Sequence, residues 1–158
     1  ICGKRVLDYL NMVNDQNHQI SVKLSAKMDK TAQAVERLQE ENFRLKGQVG
    51  QLVDDMCRKE AERYAGSGSV LIFMDGMDAD SVRKLADAVT QTCQGCCAVF
   101  SGNADGSYKY AMGEKDGDLR QFTKEMNAKL NGRGGGKPFF VQGSVQASEK
   151  EIRNFFEQ

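Results

Sequence analysis

The sequence predicts an α/β protein, in which a long N-terminal helical hairpin or coiled coil precedes a small α/β domain with a short sheet flanked by helices. Residues 1–63 carry a heptad pattern of apolar side chains, and the rest alternates strand-like with helix-like segments. Composition changes between the halves, since residues 64–158 contain thirteen of the sixteen glycines and the single proline. We therefore predict a helical connector or dimerisation region at 1–64 and an α/β domain at 65–158.

The apolar repeat of the first half alternates spacings of four and three over about four heptads, as in a coiled coil. Position a is occupied by Met28, Val35, Asn42, Val49 and Met56, and position d by Leu24, Thr31, Leu38, Leu45 and Leu52. An Asn at position a costs stability but fixes the register. The predicted oligomerisation residues are Leu38, Asn42, Leu45, Val49 and Leu52.

An earlier helix over about 4–23 has an apolar face of its own, with Leu7, Leu10, Val13 and Ile20. The heptad seam can therefore pack against this helix within one chain, or against a second copy of the chain. The periodicity does not name the partner, and we expect a homodimer.

The second half reads as alternating strands and helices, each bounded by turn or capping residues. The predicted strands are 70–74, 98–100, 108–112 and 139–143, and the predicted helices follow Asp78, span 118–130 and span 148–158. A turn at 103–106 makes the second and third strands a hairpin. Ser148 is the predicted cap of the last helix.

A glycine-rich run, Asn131-Gly132-Arg133-Gly134-Gly135-Gly136-Lys137-Pro138, is predicted to form a loop between a helix and a strand. Bare backbone N–H groups beside two cations suit a phosphate group. Arg133 and Lys137 are the predicted phosphate contacts, and Gly134, Gly135 and Gly136 the approach surface. The alternative is a tight connection without a ligand. Under both interpretations we expect Gly135→Val to impair folding.

Bulk properties exclude several classes of function. The formal net charge is zero, so an anion site must be local rather than spread over the surface. No apolar run approaches the length of a transmembrane helix, and no leader peptide is apparent. We therefore expect a cytoplasmic protein without a membrane partner. Because the chain does not begin with Met, we expect it to be a piece of a longer protein.

Five cysteines and one histidine offer little for a metal or redox site. Cys93 and Cys96 have C-x-x-C spacing, but no second such pair exists and His18 is far away in sequence. We interpret Cys93, Cys96 and Cys97 as small buried thiols. The carboxylates around Asp78 are more typical of helix caps than of a metal site. We predict no catalytic residue, metal or cofactor in this chain.

The order of elements in residues 66–156 resembles the DHH-associated domain. That family comprises C-terminal domains of alanyl-tRNA synthetases, of freestanding alanyl-tRNA editing proteins and of DHH-type phosphoesterases. Its pattern is a glycine cluster, a basic residue, Pro, a short gap and Ala-Gln-Gly-Gly. Here Gln142 and Gly143 match, whereas Val141 replaces the Ala and Ser144 the second Gly. The resemblance adds Gln142 and Gly143 to the predicted nucleic-acid-binding residues.

The N-terminal segment Cys2-Gly3-Lys4-Arg5-Val6 resembles the Cys-Gly-x-Arg-Ala of long freestanding editing proteins, where synthetases usually have Thr-Gly. The resemblance implies a parent aminoacyl-tRNA deacylase that hydrolyses Ser or Gly wrongly attached to alanine tRNA. Its zinc would lie in an editing domain outside this chain, because the ligand pairs His-x-x-x-His and Cys-x-x-x-His are absent here.

The resemblance thus implies a tRNA-binding and oligomerisation module that is not catalytic by itself. Two alternatives stay open. One is the substrate-binding domain of a DHH-type phosphoesterase, whose Asp-His-His motif is not in this chain. The other is a purely structural oligomerisation module.

Overall fold

The computed structural model describes residues 2–102 and 106–157, which form two compact units divided between Gln51 and Leu52. In the first unit, helix α1 (Cys2–Lys23) is followed by a 3₁₀ turn at Met28–Lys30 and by helix α2 (Thr31–Arg63), whose residues from Leu52 onward belong to the second unit. The two helices are linked at their joint. The Asn17 amide donates to the carbonyl of Met28 (3.1 Å), and its oxygen accepts from the Thr31 hydroxyl (2.7 Å).

The heptad seam is uncovered in this unit. Leu38, Leu45 and Val49 are 52%, 46% and 59% exposed, and apolar residues of α1 such as Leu7 and Leu10 are exposed as well. The prediction of consecutive helices before an α/β domain is confirmed. However, α1 does not cover the seam, so an intrachain hairpin packed along its length is not what the structure contains. Pairing of the seam with a second chain stays a prediction.

The second unit is built on one five-stranded sheet with helices on both faces. In chain order its elements are β1 (Val70–Asp75), α3 (Ala79–Thr90), β2 (Cys97–Gly102), β3 (Ser107–Gly113), α4 (Leu119–Lys129), β4 (Arg133–Lys137), β5 (Phe140–Gln146) and α5 (Glu149–Phe156). The strand order is β1-β2-β3-β5-β4, with β1 and β2 parallel and every other neighbouring pair antiparallel.

Side chains alternate between two cores because successive strand residues point to opposite faces. On one face, Ile72 and Val99 pack with α3 and with Cys57 and Ala61 from the last turns of α2. This packing joins the end of α2 to the second unit, ahead of the composition change at 64/65. On the other face, the core comprises Ala98, Phe100, Tyr110, Met112, Leu119, Met126, Leu130, Val141, Val145 and Ile152.

The helix caps predicted at Asp78 and Ser148, and the predicted pairing of the second and third strands, are confirmed. The Asp78 carboxylate accepts from the backbone N–H of Ser81 (2.8 Å), and Ser148 forms a capping box with Glu151. Strands β2 and β3 pair as an antiparallel hairpin. Its predicted turn includes residues 103–105, which lie outside the described residues. No helix within the described ranges is long and apolar enough to cross a bilayer.

The prediction of a glycine loop is wrong, because Arg133–Lys137 is a strand. Only Pro138 and Phe139 separate it from β5, and this two-residue connection sets the register of an antiparallel hairpin. Three consecutive glycines have little intrinsic preference for a strand, so the pairing with β5 overrides local propensity.

Candidate nucleic-acid interface

Strand β4 lies at the edge of the sheet, and all five of its residues are exposed. Its residues Arg133, Gly135 and Lys137 are paired with Ser144, Gln142 and Phe140 of β5. Directly paired residues share a face of a sheet. Because Phe140 belongs to the core on the α3 side, Arg133, Gly135 and Lys137 lie on that side too. The alternate residues, Gly134 and Gly136, lie on the α4 side.

The glycines on the α4 side are required by packing. A β-carbon at Gly134 would collide with the Tyr110 hydroxyl and with the backbone oxygen of Gln142. One at Gly143 would lie 2.7 Å from the same hydroxyl and 2.6 Å from the α-carbon of Gly134. The hydroxyl donates to the Asn127 side-chain oxygen (3.1 Å), which holds it beneath the two glycines. Gly134 and Gly143 therefore have a structural reason to be glycine.

Gly135 has no such reason. A β-carbon built there has no neighbouring atom within 4 Å, and Gly135 is not among the positive-φ residues of the described chain. The structure therefore gives no steric reason for the expected folding defect of Gly135→Val, because the space around a β-carbon at this position is open. What the glycine provides is a smooth backbone surface on the α3 side of the sheet.

That surface is the floor of a groove of about 430 Å³ between α3 and the β4–β5 hairpin. The walls carry three cations, Arg83, Lys84 and Lys137, and one carboxylate, Asp87. Gly135, Gly136, Phe139, Phe140 and Gln142 complete the lining. Lys84 also donates to Asp54 at the end of α2 (2.8 Å), so its charge is partly neutralised. The remaining excess of positive charge suits an anionic ligand.

Two further cations extend the groove across the sheet. Arg133 pairs with Ser144, and Ser144 pairs in turn with Lys109 on β3, so these residues lie in one row on the α3 side. Sequence reasoning identified Arg133 and Lys137 but missed Arg83 and Lys109. The β3–β5 register places Lys109 here, and the exposure of Arg83 beside the buried Val82 and Leu85 marks it as a polar-face residue of α3.

The predicted nucleic-acid residues therefore divide between two faces. Arg133, Gly135, Lys137 and Gln142 come together on the α3 side, whereas the predicted backbone contacts Gly134, Gly136 and Gly143 belong to the α4 side.

A second groove, also about 430 Å³, lies on the α4 side of β4. Arg120, Lys124 and Thr123 of α4 line it together with the backbone of Gly134 to Gly136. Thr123 is 2% exposed, and its hydroxyl oxygen lacks a hydrogen-bond partner among the described residues. Asp118 caps α4, and its hydrogen bonds from Arg120 lower the pKa of this carboxyl to about 2.

The cysteines behave as the sequence predicts for buried thiols. Cys93 and Cys97 are buried and Cys96 is half-buried. Burial, aided by Glu114 beside Cys96, raises the pKa values of Cys96 and Cys97 to about 12, so both stay protonated near neutral pH. Within the described ranges, no cluster of three or more His, Cys, Asp or Glu residues is arranged to hold a metal ion.

Comparison with known families assigns the second unit. The family model of the DHHA1 domain matches residues 67–158, which contain all five strands of the sheet, including the glycine-rich β4. The chain belongs to the DHHA1 domain family. The resemblance inferred from the order of elements is thereby confirmed.

Curated relatives of this DHHA1 protein are alanine–tRNA ligases. The enzyme of Psychrobacter sp. (strain PRwf-1) is 23% identical over 95% of the chain and 18% of its own length. That of Acholeplasma laidlawii is 30% identical over 50% of the chain and 9% of its own length. The chain thus spans less than a fifth of these relatives.

A solved structure shares the fold. The C-Ala domain of Aquifex aeolicus alanyl-tRNA synthetase superimposes with a TM-score of 0.50 at 18% identity, covering 59% of this chain and 92% of that domain. The fold of the DHHA1 unit is therefore that of a domain found in an alanyl-tRNA synthetase.

Proposed function

We propose that this chain is the tRNA-binding and oligomerisation module of an alanyl-tRNA editing protein. The observation that carries the proposal is the groove on the α3 side of β4, where a sterically free glycine lies beside cations from strand β4 and helix α3. The alanine–tRNA ligases among the relatives make alanine tRNA the expected partner.

The geometry suits the sugar-phosphate backbone of RNA. Phosphate contacts position a nucleic acid without reading its sequence, and they come from Arg, Lys and backbone N–H groups. Arg133 and Lys137 lie on the same side of β4, with Gly135 between them on that side. The bare glycine lets a phosphate approach the strand closely, while Arg83 and Gln142 line the opposite wall and floor.

Oligomerisation is assigned to the exposed seam of α2. Leu38, Leu45, Val49 and Leu52 are uncovered in the single chain, and a second copy would bury them along matching heptads. A homodimer would present two RNA-binding grooves, which raises affinity for a ligand that reaches both.

Catalysis is assigned to the parent protein rather than to this chain. The parent would hydrolyse Ser- or Gly-tRNA(Ala), with zinc in a separate N-terminal editing domain. The chain has one histidine, His18, and it lies in α1 without a second imidazole to complete a zinc site. No zinc ligand is therefore assigned here.

A second candidate is a substrate-binding domain like that of DHH-type phosphoesterases. The α4-side groove favours it, because the cations Arg120 and Lys124, beside the exposed backbone of Gly134 to Gly136, offer contacts to a small phosphorylated ligand. The larger number of cations along the α3-side groove leads us to prefer RNA.

Gly135→Val tests the proposal by filling the approach surface without disturbing the fold. A β-carbon at this position enters open space, so we expect the free energy of unfolding to stay within about 1 kcal/mol of that of the unsubstituted chain, in the range of strand propensities. Affinity for alanine tRNA, measured by fluorescence anisotropy, should fall because phosphate can no longer approach the backbone.

Gly134→Ala is the matched control on the opposite face. Its β-carbon collides with the Tyr110 hydroxyl and neighbouring backbone, so it should destabilise the fold by about 1–3 kcal/mol, as overpacking does. A stable Gly135→Val chain that binds tRNA with undiminished affinity would exclude close backbone contact at this strand.

A further inference from the structure

Phe139 is an exposed aromatic side chain at the mouth of the α3-side groove. It occupies the second position of the two-residue connection between β4 and β5, and it is 49% exposed while lining the groove. Isolated exposed apolar residues are common on protein surfaces. What distinguishes Phe139 is the rigidity of its backbone and the charge beside it.

The connection is fixed from both sides. The backbone N–H of Leu119 donates to the carbonyl of Pro138 (2.7 Å), and that of Glu114 donates to the carbonyl of Phe139 (3.0 Å). The pyrrolidine ring of Pro138 also fixes its φ angle. Phe139 is therefore presented on a turn held by two main-chain hydrogen bonds, one from Glu114 after β3 and one from Leu119 at the start of α4. Little conformational entropy of this backbone is therefore lost when a ligand binds the ring.

A cationic side chain and an aromatic side chain lie next to each other at this point. The Lys137 ammonium lies 5.7 Å from the centroid of the Phe139 ring, and Gly135 continues the same face of β4 without a side chain. Proteins that bind unpaired RNA combine a positively charged groove, which follows the backbone, with aromatic rings on which bases stack. The spacing here places one ring beside the phosphate contacts.

We propose that Phe139 is a stacking platform for a nucleobase, so that the groove binds RNA where its base stack opens or ends. This inference rests on the proposed RNA-binding function and adds the class of RNA feature that is recognised. Lys137 holds a phosphate next to the base and Arg133 holds one further along the strand, while the ring supplies a contact that does not depend on base identity. A continuous duplex offers its phosphates but keeps its internal bases away from the ring.

Phe139→Leu tests the inference, since leucine retains apolar bulk but removes the aromatic face. The probe is a single-stranded RNA of ten adenosines with one 2-aminopurine, titrated with the full chain. We expect the variant to bind about 5- to 150-fold more weakly, the range for losing one stacked base, with an unchanged salt dependence. The unsubstituted chain should quench the 2-aminopurine, and the variant should not.

Phe43→Leu is the matched control, because Phe43 is 82% exposed on α2 and lies outside the groove. Its affinity and quenching should equal those of the unsubstituted chain. Equal affinity and equal quenching for Phe139→Leu would overturn the stacking inference. If Arg133→Gln/Lys137→Gln still weakened binding in that case, the proposed function would stand. If neither substitution mattered, both proposals would fall.

Discussion

Alternate residues of β4 face different surroundings, and this decides what each glycine does. Gly134 lies over the Tyr110 hydroxyl, which Asn127 holds in place, so its missing side chain is a packing requirement. One residue further along, Gly135 faces an open groove. A cluster of glycines in a sequence therefore need not have one explanation. Only the residue without a packing requirement is informative about a ligand.

The charges at helix ends give a residue-scale prediction. Hydrogen bonds from Ser81 lower the pKa of the Asp78 carboxyl, which caps α3. A carboxyl with a depressed pKa stabilises the fold above its unfolded-state pKa of about 3.9, and that contribution is lost as the pH falls through its folded-state pKa.

We therefore expect Asp78→Ala to lower the free energy of unfolding by about 1 kcal/mol at pH 7, the usual cost of removing an N-cap. The difference from the unsubstituted chain should shrink below pH 4. Urea unfolding at several pH values measures it, with Asp78→Asn as the control, since Asn caps helices as well as Asp and does not titrate. A difference that is independent of pH would contradict the lowered pKa of the Asp78 carboxyl, and no difference at pH 7 would contradict the assigned cap.

At the scale of elements, α2 serves two units. Its last turns pack Cys57 and Ala61 under the sheet, while its earlier turns expose a heptad seam. A polar helix that contains Gly47 and Gly50 and exposes its apolar stripe gains little from its own propensity. A partner helix would supply the missing burial.

Asn42→Leu tests whether that partner is a second copy. In a parallel dimer the two Asn42 side chains face each other at position a, so leucine should raise thermal stability and loosen the choice of oligomer. Analytical ultracentrifugation of both chains measures the change. Glu40→Leu, outside the a and d positions, is the control and should not alter association. A chain that sediments as a monomer with or without Asn42→Leu would contradict the dimer.

Elements with local signals were predictable from the sequence, and those defined by distant contacts were not. Heptads revealed α2, and short-range capping patterns revealed the starts of α3 and α5. Strand β4 was missed because its glycines have no strand preference and its stability comes from pairing with β5. Arg83 and Lys109 were missed for the same reason, since only the folded sheet brings them beside Lys137.

For the whole molecule, zero net charge and a basic groove are compatible, because the fold brings several basic side chains together without an excess of basic residues in the chain. The 22 basic residues equal the 22 acidic ones, yet the groove has three cations against one carboxylate. Such a protein should bind RNA through a defined set of phosphate contacts and show little affinity for polyanions elsewhere. The number of those contacts is measurable from salt dependence.

The most direct test is therefore the salt dependence of alanine tRNA binding by the chain with Arg133→Gln and Lys137→Gln. Each lost phosphate contact should flatten the plot of log affinity against log salt by roughly 0.7–0.9. We predict a slope smaller by about one to two units, weaker binding and unchanged thermal unfolding, because both side chains are exposed. Arg37→Gln/Lys46→Gln, the same charge change on α2, should leave the slope unaltered. An Arg133→Gln/Lys137→Gln chain with the affinity and slope of the unsubstituted chain would contradict the assignment of β4 as the RNA contact.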